Sequence, residues 1–100
     1  MKLTQDAADH IAPPQDRYRI FWDDDLAGFG LRVTPTGAKT WVCQWRPFPG
    51  GRNILIKRLS ICPHGPGIAD YARGIAEEKL GAVVKKREQA RLKWLKDATE

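Results

Sequence analysis

Apolar and polar positions alternate with a period of two through residues 29–34 and 40–46, and from residue 68 the period lengthens to that of a helix. Residues 18–22 read as a first strand, and Asp23-Asp24-Asp25 as a solvated connection after it. Residues 29–34 alternate apolar with polar or small side chains, as a half-buried strand does. Residues 35–38, with Pro35 and Gly37, form a turn. The next run places Trp41, Cys43 and Trp45 on one face and Thr40, Val42, Gln44 and Arg46 on the other. Residues 47–51, with two prolines and two glycines, are a loop. Residues 54–59 are the last strand, its register open because apolar residues occupy both parities. Ahead of the strands, Thr4 caps a short helix over residues 5–11, with a weak apolar face of Ala7, Ala8 and Ile11 and an end at Pro13-Pro14.

The helical stripe comprises Ile68, Ala72, Ile75, Ala76, Leu80, Val83 and Val84. It gives a helix of about five turns, packed across Leu31, Val33, Trp41 and Trp45. Gly74 and Gly81 weaken that helix, so close approach to the sheet is the expected reason for them. Strands first and one helix last predict an α+β fold, a three- to four-stranded antiparallel sheet packed on one C-terminal helix. Residues 1–84 form the domain. Residues 85–100 are a charged extension that prolongs the helix or frays.

Charge changes the picture. The net charge is +5, but residues 1–25 hold six Asp against Lys2, Arg17 and Arg19, while residues 26–69 hold six basic residues and no acid. An acid-free stretch of that length makes a field that attracts polyanions. If the helix covers one sheet face, the other carries Arg32, Thr40, Gln44, Arg46 and Arg58. Such a face suits the DNA major groove, where Arg reads guanine and Gln reads adenine. Lys39, Arg52 and Lys57, near turns or strand ends, would reach phosphates. The alternative is a protein-interaction module that uses a Trp-rich surface while its basic face is merely solvated.

Other chemistry is not encoded. Consecutive carboxylates in one loop point in different directions, so Asp23-Asp24-Asp25 is no metal site. Cys43, Cys62 and His64 lack zinc spacing, and both cysteines read as small buried hydrophobes. Gly28-Phe29-Gly30 lacks the third glycine of a dinucleotide fingerprint. No constellation makes Tyr18 or Tyr71 a nucleophile. Neither a cofactor nor a small-molecule substrate is expected. The polar first ten residues and the lack of a long apolar run predict a cytoplasmic chain with no membrane association.

The run from Asp23 to Trp41, with Leu26-Ala27-Gly28-Phe29-Gly30-Leu31-Arg32-Val33 at its centre, is similar to the signature of the arm-type DNA-binding domain of prophage integrases of the tyrosine recombinase family. So are the strand ending in Arg46, the glycine loop, the basic strand closing in Leu59, and the helix with Ala72-Arg73. The resemblance covers about residues 2–84. It departs at Leu59-Ser60 and Ile68-Ala69, and residues 85–100 replace the family's usual closing Gly-x-Asp-Pro. It implies a sheet that enters the major groove of arm-type sites in double-stranded DNA, in support of site-specific integration and excision. It also admits other integrase protomers as partners. The family's catalytic residues lie in a downstream domain, so this segment is expected to hold DNA without cleaving it.

Overall fold

A computed structural model describes residues 1–47 and 54–99. The fold is α+β. Helix α1 (Gln5–His10) precedes strands β1 (Arg19–Trp22), β2 (Phe29–Val33), β3 (Lys39–Trp45) and β4 (Lys57–Pro63), and α2 (Ala69–Thr99) follows them. The strands pair antiparallel in chain order, β1-β2-β3-β4. Thr4 caps α1 as its position predicts, its hydroxyl accepting from the Ala7 amide at 3.1 Å.

Alternation assigns the two faces. Leu31 lies opposite Trp41 and Phe29 opposite Cys43, so these side chains share the face that α2 covers. There they join Val33, Leu3, Ala8, Ala69, Ala72 and Ala76 in one buried cluster. The bulk comes from the sheet, where the Phe29 and Trp41 rings stack at 5.0 Å between centroids. The helix contributes alanines, whose short side chains let its backbone approach. Gly74 and Gly81 do not serve that purpose. Both face away, and a Cβ built on either meets nothing within 4 Å.

The last strand differs from its sequence reading. It begins at Lys57, not at Ile54, and runs on to Pro63. Opposite Trp41/Val42 the register slips by one residue: Val42 faces Ser60, but Trp41 faces Cys62. This bulge at Ile61 is why β4 carries apolar residues at both parities. The loop read at residues 47–51 lies, beyond Pro47, outside the described residues, as does Arg52.

The extension prolongs the helix. α2 is 31 residues long, about 46 Å at 1.5 Å per residue, and it is continuous across Val84-Lys85. Its buried stripe runs through Ala69, Ala72 and Ala76, while Val84 is 61% exposed. Among the described residues, no helix is long and apolar enough to cross a membrane.

Asp23 corrects the reading of the triple-Asp connection. Its side chain is fully buried and forms an ion pair with Arg73 of α2. Arg73 donates from both terminal nitrogens, at 3.0 and 2.6 Å. The Leu3 and Leu26 amides donate at 2.7 Å each and the Asp25 amide at 3.0 Å. Burial pushes the carboxyl's pKa up, but the Arg73 bond and the Leu3 and Leu26 amides together hold it well below the usual carboxylate range. This group ties the N-terminal segment, the β1–β2 connection and α2 together. Asp24 and Asp25 remain exposed.

Candidate nucleic-acid interface

The sheet face opposite α2 is built in three rows. Ile20, Arg32 and Thr40 lie side by side in one. Trp22, Gly30, Val42 and Ser60 form the central row. Gln44 and Arg58 form the third. Among the described residues, no strand contains Asp or Glu.

Gly30 shapes the centre. A Cβ there would sit 2.7 Å from the Trp22 ring and 3.0 Å from Ile20, so the bare backbone is what lets these side chains lie across the sheet. Trp22 stays 38% exposed, and Val42 is buried. The basic residues therefore flank an apolar centre instead of occupying it. Thr40 and Gln44 are four residues apart on one strand, which separates the two polar ends by roughly 13 Å.

Each polar end is held in shape. The Arg32 guanidinium lies 4.4 Å from the centroid of the Tyr18 ring, a cation–π contact that covers one flat side and leaves the N–H edge available. At the other end, Arg58 Nη2 donates to Gln44 Oε1 at 3.0 Å. Tyr18 was read as part of a strand and rejected as a nucleophile, with no binding role. Its partnership with Arg32 follows from same-face proximity across β1 and β2.

Of the residues singled out in the sequence, Arg32, Thr40, Gln44 and Arg58 come together on this face. Arg46 lies just past β3, and its carbonyl accepts from Arg87 Nη2 of α2. Lys39 and Lys57 are placed differently. Lys39 lies opposite Val33, on the helix side, where its ammonium donates to the Ala8 and Asp9 carbonyls at 2.7 and 3.2 Å. It neutralises the negative end of α1. Lys57 lies opposite Trp45, also on the helix side, and lines a cleft there with Lys86 and Arg87.

The tryptophans divide. Trp41 is fully buried, Trp22 is 38% exposed and Trp94, on the helical extension, is 60% exposed. Trp41 belongs to a polar chain that sequence reading missed. Its indole Nε1 donates to His64 Nδ1 at 3.1 Å, and His64 Nε2 lies 2.7 Å from Asp9 Oδ1. With Nδ1 accepting, the proton is on Nε2 and is donated to the carboxylate. That bond is the first cause holding the Asp9 pKa below its ordinary value. Residues 9, 41 and 64 are too far apart in sequence for any local pattern to link them.

Cys43 and Cys62 are free thiols, and burial raises both their pKa values. Among the described residues, no group of three or more His, Cys, Asp or Glu could hold a metal ion. No protein-family model, curated protein or solved structure matches this chain.

Proposed function

We propose that this chain binds duplex DNA through its uncovered sheet face, as the arm-type DNA-binding domain of a prophage-type tyrosine integrase does. One observation carries the reading: on an acid-free sheet face, two preset basic groups, Arg32 on Tyr18 and Arg58 on Gln44, flank a flat apolar centre. A sheet of this kind fits the width of the major groove, and Arg and Gln can bond base edges there. Thr40 extends the same surface, and Arg46 follows it just past the end of β3. The similarity of residues 23–41 to the integrase arm signature supports the reading independently of the geometry. In it, the domain anchors a recombinase on arm sites in the cytoplasm, while strand cleavage and joining belong to a separate catalytic domain. The domain itself uses no cofactor.

The test is duplex binding across a salt series, with a duplex selected from a random-sequence pool and an unselected one. Log affinity should fall linearly with log salt. Arg32→Ala with Arg58→Ala should weaken the selected duplex far more than the unselected one. A second reading, a protein-contact module, is favoured by the exposed Leu92, Trp94 and Leu95 on α2. Association that ignores salt, together with no affinity for duplex, would select it instead.

A further inference from the structure

A cleft of about 390 Å³ opens where the far end of the β3–β4 pair meets the middle of α2. Lys57 from β4 and Lys86 and Arg87 from α2 line it, over apolar walls of Trp45, Val83 and Ala90. Three cations converge there, and among the described residues none of them is in an ion pair. Residues 26–69 contain no acid that could supply one. The acid next to Arg87 on the helix, Glu88, is bonded to Arg91 at 2.7 Å.

Arg87 is fixed in a telling way. Its Nη2 donates to the Arg46 carbonyl, while its Nε is buried with no hydrogen-bond partner among the described residues. A buried, unpaired donor on a cation is costly and calls for an acceptor. An oxyanion in the cleft would neutralise the Arg87 guanidinium and the two lysines together, compensating the charge of a cation whose Nε has no partner of its own among the described residues. The apolar walls lower the local dielectric and strengthen the attraction.

We propose that this cleft is a phosphate-binding site and, resting on the DNA reading above, that a backbone phosphate of the bound duplex fills it. The position agrees. Trp45 pairs with Lys57 one residue along from Gln44 with Arg58, so the cleft adjoins the basic end of the uncovered face. A strand gripped by Arg58 would reach the cleft by passing round this end of the sheet, since Trp45 and Lys57 lie on the helix side. The site would fix the register of the duplex without reading its sequence.

The experiment measures duplex affinity across a salt series for the full chain and for Lys57→Gln and Lys86→Gln, with Lys93→Gln, on exposed α2 outside the cleft, as control. The Trp45 indole N–H is followed by NMR in parallel, with duplex and with inorganic phosphate. Each cleft variant is expected to shallow the salt slope by about one unit, and Lys93→Gln to leave it unchanged. Duplex should shift the Trp45 signal in the parent chain and not in Lys86→Gln. Strong duplex binding with parental slopes in both cleft variants would overturn the site and leave the DNA reading standing. Without duplex binding, the DNA reading fails. A Trp45 response to inorganic phosphate alone would then mark a free-anion site and overturn the backbone assignment, and no response to either would overturn the site altogether.

Discussion

The two faces of one sheet have opposite fates, although the same strands supply both. Toward α2, Phe29, Leu31, Val33, Trp41 and Cys43 are fully buried. Away from it, Arg32, Gln44 and Arg58 remain at least partly in water around Trp22. The first face carries large apolar groups, and alanines on the helix close over them. The second carries groups that would be costly to bury, and their partners are one another. Stability therefore belongs to the first face and the proposed recognition to the second, and substitutions should separate the two.

The largest effect is expected at Trp41. Trp41→Ala removes the ring stacked on Phe29 and orphans its bond to His64, and should cost about 3–5 kcal/mol of stability in denaturant melts. Trp22→Ala, on the opposite face, should cost much less and act mainly on duplex affinity. Equal losses of stability would erase the distinction between the faces.

Next comes Asp23. Asp23→Asn leaves the Arg73 charge without its partner, at an expected cost of about 3 kcal/mol. The sign of the pH dependence follows from the lowered pKa. The contribution is complete above the unfolded value of about 4 and is lost as pH falls through the lower folded value. Thermal melts from pH 7 down to pH 2 should show this acid loss in the parent chain and a shallower one in Asp23→Asn.

Gln44→Ala and Arg58→Ala sharpen the contrast from the other side. Each should change stability by no more than about 0.5 kcal/mol. Each should lower affinity for a selected duplex by about 1–3 kcal/mol beyond any loss on random duplex. Paired titrations at one salt concentration measure that difference.

The smallest effect is a gain. Gly74 is exposed and a Cβ there meets nothing, so Gly74→Ala should stabilise α2 by about 0.5–1 kcal/mol. An equilibrium melt that shows a loss instead would mean that the position is packed.

The alternation in β2 and β3 was enough to place Leu31, Val33, Trp41 and Cys43 inside and Arg32, Thr40 and Gln44 outside. The same alternation puts Lys39, two residues before Trp41, on the helix side, but the strand was read from Thr40, and Lys57 lay in the strand whose register was open. Lys39 meets the end of α1, a contact 30 residues away in sequence. The β4 register was illegible because Ile54, Leu55 and Ile56, read as part of the strand, precede its start at Lys57, and the bulge at Ile61 lies beyond the residues that were read. Asp23 looked solvated beside two other Asp residues, and only the arrival of Arg73 from α2 distinguishes it. The apolar centre of the uncovered face was hidden too, since it depends on Gly30 allowing Trp22 to lie over the sheet.

The most direct measurement is a chemical-shift map of the labelled chain titrated with duplex DNA at two salt concentrations. The account predicts that the largest shifts fall on the amides and side chains of Tyr18, Trp22, Arg32, Thr40, Gln44 and Arg58, and that they weaken steeply at the higher salt. Shifts confined to α2 residues such as Leu92, Trp94 and Leu95, or no shifts at low salt, would contradict it.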